Sequence, residues 1–278
     1  MTSKELRLKS IEYRKKILQY IYHAKAGHTG GSLSCIDILN VLYNDVMNVS
    51  PANFHLQERD RYIQSKGHSV EALYVVLADQ GFFPEEELLT LCQYQSHFIG
   101  HPTKKVPGIE QNTGGLGHGL AICAGNAVAA QKDGLPLKVF SLLGDGELAE
   151  GSNWEAFMLA GHYGLDNLCA ILDYNKQQIT GTNAQVMGLE PIDKKLEAFG
   201  WAVREVDGHD VDALSQTLNS LPFEKGKPSF LIAHTVKGKG VSYMEGTLKW
   251  HHGVPSPAQY EQALAELDAQ LNILEPAL

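Results

Sequence analysis

A chain of 278 residues, 44% of them hydrophobic, is long enough for one large domain or two small ones and can bury an ordinary core. Its formal charge of -9 is dispersed, with no basic run longer than a pair flanked by mixed residues, which argues against nucleic-acid binding as the main activity. No apolar run approaches the roughly 18 residues that span a bilayer, so no membrane contact is expected.

Residues 1–5 lack the basic-then-apolar pattern of a signal peptide, and Cys35, Cys92, Cys123 and Cys169 are too far apart for a CxxC metal site or a disulfide frame. A cytoplasmic chain with reduced thiols is the expectation. Over about 5–26, Leu6, Ile11, Ile17, Leu18, Ile21 and Tyr22 recur at helical spacing among Lys, Arg and Glu. Gly27-His28-Thr29-Gly30-Gly31-Ser32-Leu33-Ser34 then reads as a glycine loop able to approach a ligand, with Ser32 or Ser34 capping a helix over 35–46. Taken alone, it fits a plain helix-helix turn as well.

A short strand is predicted over 60–65, followed by Lys66-Gly67-His68-Ser69 and a helix over 71–77. The pattern is strand, glycine turn with a histidine, helix. A short acidic helix at 85–91 precedes His97-Phe98-Ile99-Gly100-His101-Pro102, where the proline restricts the backbone at His101. Any one of these histidines alone is as compatible with structure as with function. Asn112-Thr113-Gly114-Gly115-Leu116-Gly117-His118-Gly119 opens an alanine-rich helix over 120–130. Its free backbone N–H groups at the positive end of the helix dipole make a natural seat for phosphate.

Val139-Phe140-Ser141-Leu142-Leu143 predicts a buried strand that stops at Gly144-Asp145-Gly146, a turn only small residues make. A helix from about 150 to 163 leads to a second apolar strand over 168–172, which ends at Asp173 and Asn175. Two neighbouring strand ends would then both present oxygen ligands to a crevice beyond the carboxyl ends of a sheet. The 28 residues between Gly146 and Asn175 are the length of one helix-strand crossover. Asp145, the Asn175 amide oxygen and a backbone carbonyl such as that of Gln177 make a hard-oxygen cradle suited to Mg²⁺, with a diphosphate filling its remaining positions. Gly-Asp-Gly by itself occurs in many turns.

Polar residues and glycines over 176–188 suggest a ligand-facing loop. Alternation then resumes: helix at 193–199, strand at 202–206, Asp207-Gly208-His209-Asp210 as turn and cap, helix to about 221, strand at 229–234. Lys237-Gly238-Lys239-Gly240 and Trp250-His251-His252-Gly253 precede a closing amphipathic helix over 257–271. With no repeat or linker, one α/β domain over 1–278 is expected, with a C-terminal extension and a mostly parallel sheet carrying helices on both faces.

The Gly-Asp-Gly to Asn arrangement resembles the signature of enzymes that use thiamine diphosphate. With Gly27-His28-Thr29-Gly30-Gly31-Ser32, Ser65-Lys66-Gly67-His68, Gly100-His101-Pro102, the 113–119 loop, Gly144 to Gly151, Asp207-Gly208-His209-Asp210 and the 235–240 segment, residues 13–253 resemble transketolase. They cover only its N-terminal, diphosphate-binding part. The resemblance implies that Asp145, Asn175 and the Gln177 backbone oxygen hold Mg²⁺, with Ca²⁺ or Mn²⁺ as substitutes. It implies cofactor contacts from His68, Gly114, Gly115, Leu116, Gly146, Asn175 and His252. By the same resemblance His28, His101 and His252 line the donor channel and move protons, a duty suited to a pKa near operating pH, and Glu150 joins a carboxylate network between paired cofactors.

Two departures stand out. His118 occupies a position where the family has Gln, and two histidines precede Gly253 where the family has one, so His252 is preferred and His251 stays open. The family's second domain supplies the glutamate that activates the cofactor, and no glutamate here matches it. The resemblance therefore implies the N-terminal subunit of a split transketolase, active only with a C-terminal subunit carrying the pyrimidine-binding domain, as two copies of each. Its reaction would move a two-carbon ketol unit from a ketose or ketose phosphate to an aldose or aldose phosphate, as in pentose phosphate metabolism. The α-subunit of a 2-oxo acid dehydrogenase also carries Gly-Asp-Gly without that glutamate, although not the His28, His68 and His101 loops together. A non-catalytic cofactor-binding partner is the remaining alternative.

Overall fold

Five strands, β1 (Arg61–Gln64), β2 (Val139–Gly144), β3 (Leu168–Tyr174), β4 (Ala202–Asp207) and β5 (Ser229–His234), form one wholly parallel sheet in the order β1-β2-β3-β5-β4. The computed structural model describes residues 1–274; residues 275–278 of the expected domain lie outside them. Nine helices accompany the sheet among the described residues: α1 (Ser3–Ala24), α2 (Thr29–Val41), α3 (Val70–Asp79), α4 (Gly119–Asp133), α5 (Gly151–His162), α6 (Asn183–Val186), α7 (Ile192–Ala198), α8 (Val211–Leu218) and α9 (Pro257–Leu274). None is long and apolar enough to cross a membrane.

Successive strand residues face opposite sides, so each buried strand feeds two cores. Phe140, Leu142, Cys169, Ile171, Leu231 and Ala233 pack with α1, α2, α3, α8 and α9. Val139, Leu143, Leu168, Ala170, Leu172, Phe230 and Ile232 pack with α4, α5 and α7. Burial on both faces is why β2 and β3 read as continuous apolar runs. β4 lies at an edge, and its exposed Arg204, Glu205 and Asp207 suit that position.

The register sets the site. Gly144 pairs with Asp173 and Tyr174 with His234, so the segments leaving β2, β3 and β5 emerge side by side at the carboxyl edge of the sheet. The Lys66-Gly67-His68 turn leaves β1 at the same edge.

Four local expectations are corrected. Gly30 and Gly31 belong to the first turn of α2 and not to a loop; neither Ser32 nor Ser34 caps it, and His28 stands at the N-cap position. These glycines serve close packing, since a Cβ on Gly30 would lie 2.7 Å from the Trp250 carbonyl oxygen. The α-helix also stops at Val41 and widens into a π turn over Leu42–Val46. The acidic stretch is a 3₁₀ helix, Glu85–Thr90, and the 176–188 loop contains α6 and a Gln177–Thr182 bridge.

Candidate active site

A cavity of about 480 Å³ opens at this carboxyl edge. One end is built by the turns after β2 and β3, which contribute Asp145, Gly146, Asn175 and Gln177; the other carries His28, His68, His101 and His251. Lys66, Glu147 and Lys237 also line it, and Gly114 and Leu116 belong to its wall.

Asp145 is buried by the 3₁₀ turn that follows it, Gly146–Ala149. Its Oδ1 accepts the Gly146 N–H at 2.9 Å, and its Oδ2 accepts the Lys176 N–H at 2.6 Å and Asn183 Nδ2 at 2.9 Å. Burial pushes its pKa up to about 6, against the Asn183 hydrogen bond that favours the charged form. Asn175 Oδ1 accepts only the Gln177 N–H, at 3.2 Å.

Around this pair, Gln177 Oε1, Gln178 Nε2 and Asn183 Oδ1 are buried without a hydrogen-bond partner, as is His28 Nδ1 at the opposite end. Buried polar atoms are ordinarily satisfied. An occupant offering a cation to the oxygens and anionic oxygens to the nitrogen would satisfy those around Asp145 and Asn175, and a divalent ion with a diphosphate is one that fits. Among the described residues no three His, Cys, Asp or Glu side chains are grouped to hold a metal by themselves. An ion here would rest on Asp145, Asn175 and backbone oxygen, and would need anionic oxygens from its ligand.

The second strand end works differently from the expectation. Asp173 is fully buried beneath the cavity and offers it no oxygen, because its carboxylate is consumed by Lys66, Ser34 and Thr235. Burial opposes both charges of the Lys66–Asp173 pair, and mutual attraction outweighs it, so the Asp173 carboxyl is held below and the Lys66 ammonium above its ordinary range.

The histidine end is tightly grouped. The His28 ring centroid lies 5.3 Å from that of His68, 5.9 Å from His101, 5.7 Å from His251 and 4.6 Å from His252. Burial, then the neighbouring rings, pushes the His28 pKa down to about 3; burial and Lys237 bring His251 to about 4. His68 and His101 are also shifted down, chiefly by burial. At neutral pH the His28 and His251 rings are therefore neutral and suited to hydrogen-bonding hydroxyls, and burial works against their holding a proton, contrary to the expectation of a pKa near operating pH. Behind His28, Glu71 accepts its backbone N–H at 3.1 Å and the Ser32 hydroxyl at 2.8 Å.

His28, His68, His101, Gly114, Leu116, Asp145, Gly146, Asn175 and Gln177 thus share one wall. Of the other expected residues, Gly115 and Glu150 are exposed, as is His118; His251 lines the cavity, and His252, though exposed, sets its ring 4.6 Å from that of His28, so both histidines stand at this end. Sequence reasoning assigns no role to Glu147, which accepts the Ser65 hydroxyl and the backbone N–H groups of Gly117 and Gly144. Lys66 and Lys237 are likewise visible in the sequence only as members of glycine-rich stretches.

A doubly wound sheet with an oxygen pair, a glycine-rich loop and a histidine cluster at its carboxyl edge defines a diphosphate-cofactor-binding α/β domain. The family described as transketolase, thiamine diphosphate binding domain, matches residues 9–267, and the chain belongs to it. It is 49% identical over 275 residues to a subunit of the apulose-4-phosphate transketolase of Phocaeicola vulgatus, covering 99% of this chain and 98% of that protein. It is 41% identical over 258 residues to the 6-deoxy-6-sulfo-D-fructose transketolase subunit SqwG of Clostridium sp., covering 92% of this chain and 94% of that one. Among solved structures, transketolase from Campylobacter jejuni superposes with a TM-score of 0.84 at 28% identity, over 98% of this chain and 48% of that chain. Transketolase from Leishmania mexicana gives 0.83 at 27%, over 99% and 46%. The chain spans slightly under half of each of these solved transketolases.

Proposed function

We propose that this chain is the diphosphate-binding subunit of a split transketolase. It would transfer a two-carbon ketol unit from a ketose or ketose phosphate to an aldose or aldose phosphate. The observation that carries the reading is one cavity joining the Asp145–Asn175 oxygen pair to a cluster of histidines. Relatives of nearly the same length are named as subunits of sugar transketolases, which supports a partner chain.

Asp145, Asn175 and the Gln177 carbonyl would hold Mg²⁺, for which Ca²⁺ or Mn²⁺ can substitute; Gly114, Gly115, Leu116, Gly146 and His68 would seat the cofactor. Thiamine diphosphate, when bound, supplies the carbon nucleophile that accepts the two-carbon unit. His28, with its unpartnered Nδ1, would accept the hydrogen bond of the donor hydroxyl whose proton leaves as the carbon-carbon bond breaks, while His101 and His252, or His251 beside it, bind neighbouring hydroxyls. The activating glutamate would come from a partner carrying the pyrimidine-binding domain, in an assembly of two copies of each chain in the cytoplasm. Glu150, exposed at the start of α5, would meet that partner.

Reconstitution tests this. The chain mixed with its pyrimidine-domain partner should transfer ketol units from a screened ketose, and the chain alone should not. Asp145→Ala should weaken Mg²⁺-dependent thiamine diphosphate binding at least about tenfold by calorimetry. Turnover by the pure chain without a partner would overturn the split reading, and unchanged affinity would overturn the metal assignment.

A further inference from the structure

The Asp207-Gly208-His209-Asp210 turn lines no part of the cavity, yet its histidine is tied to it. His209 Nε2 accepts the Val236 backbone N–H at 2.8 Å, which places the ring proton on Nδ1, and that nitrogen donates to Asp37 at 2.7 Å. Asp37, on α2, is 2% exposed and receives two nitrogens of the Arg14 guanidinium from α1. Arg14 Nε in turn donates to the Lys239 carbonyl at 3.1 Å. The triad therefore grips the segment after β5 at two points, Val236 and Lys239, on either side of Lys237.

Lys237 is 3% exposed and makes no ion pair among the described residues; its Nζ lies 3.0 Å from His251 Nδ1 on the cavity wall. An unpaired buried ammonium is costly, and a segment bearing one relaxes toward water unless its backbone is held. Further ties come from the Gly238 N–H to the Gly30 carbonyl at 3.0 Å and from the Gly246 N–H to the Lys237 carbonyl at 2.9 Å. We propose that His209 is a positioning residue for Lys237: by accepting the Val236 N–H, on a ring oriented by the Arg14–Asp37 pair that also holds Lys239, it fixes residues 236–239 so that the lysine ammonium stays in the cavity wall as a cation for a ligand of the diphosphate class. This rests on the diphosphate reading of the cavity. The role requires neutral His209, because an imidazolium would set N–H against the Val236 N–H. The carboxylates facing the turn are Asp37 and Asp207, which accepts the His209 backbone N–H.

His209→Asn keeps a donor for Asp37 and loses the acceptor for Val236, whereas His209→Gln reaches far enough to keep that acceptor. Lysines of the full-length chain, labelled biosynthetically with ¹³C and ¹⁵N, are titrated by NMR through their Cε signals, with Lys237 assigned from Lys237→Arg. Burial and the Lys66 charge, against Asp145 and Asp173, bring the Lys237 pKa down to about 8 in the wild type. In His209→Asn it should rise by about one unit or more toward the ordinary lysine value. Affinity for Mg²⁺–thiamine diphosphate, read by calorimetry, should fall about tenfold. His209→Gln should restore both. An unchanged Lys237 titration in folded His209→Asn overturns the proposal, whatever the affinity does. A wild type that binds no thiamine diphosphate while the lysine shifts overturns the diphosphate reading instead. Should the Asn variant not fold, ¹⁵N spectra of the wild type decide: the proton on His209 Nδ1 is expected, and a proton on Nε2 overturns the assignment.

Discussion

Lys66 and Asp173 form a buried ion pair at the cavity floor, with almost no exposure to solvent. Such a pair gains little over an apolar isostere, but removing one partner strands the other. Lys66→Met should cost about 3–5 kcal/mol in denaturant unfolding, and Lys66→Met with Asp173→Asn should recover part of that loss. Equal stabilities for the single and double variants would mean that the charges do not sense each other. Glu71 shows the converse, a buried carboxyl with no cation paired to it among the described residues. Burial raises its pKa from 4.5 to about 6, opposed by bonds from its own backbone, Ser32 and His28. The folded chain then binds this proton more tightly than the unfolded one, so this contribution to stability falls as pH rises from about 4.5 to 6 and stays low above. Glu71→Gln keeps an acceptor for His28 and should stabilise the chain by on the order of 2 kcal/mol at pH 7.5 and hardly at all at pH 4.5. A gain of the same size at both pH values would contradict this origin.

Among the elements, α5 and α7 meet where Gly161 lies against the Phe199 carbonyl, and a Cβ there would approach that oxygen to 1.8 Å. Alanine improves helix propensity by up to about 1 kcal/mol, yet the clash should win. Gly161→Ala should lower stability by a net of about 1–3 kcal/mol, read as a drop in melting temperature. A rise would show that the helices slide apart freely. The same contrast explains what the sequence discloses. β2 and β3 are legible because apolar runs stop at Gly144 and Asn175, and the spacing between them marks a single crossover. The beginning of α2 is not legible, since Gly30 answers to the Trp250 carbonyl, a partner more than two hundred positions away. Asp145 and Asp173 look alike as strand-end carboxylates, and only the register shows that Lys66 rises to meet the second. Likewise, His251 and His252 share a 3₁₀ turn that brings both rings to His28, at 5.7 and 4.6 Å, which no local spacing foretells.

Across the whole molecule, the cavity mouth is the least finished region: Ile179 is 68% exposed, and Val186 and Met187 beside it are also open to solvent. Adding Mg²⁺ and thiamine diphosphate should slow amide hydrogen exchange in 113–118 and 176–188 and leave β2 and β3 unchanged. Uniform slowing over the whole chain would point to global stabilisation instead of ordering at the site. The rigid part of the site has a separate history, written in its wall from His28 to His251 and in the bond from the Thr29 hydroxyl to the Gly253 carbonyl. Synthesis delivers the first of these histidines long before the last, with all five strands made in between. A nascent chain that has only just left β5 behind therefore carries the oxygen pair and the first three histidines but lacks Lys237 and His251, so the pocket wall closes last.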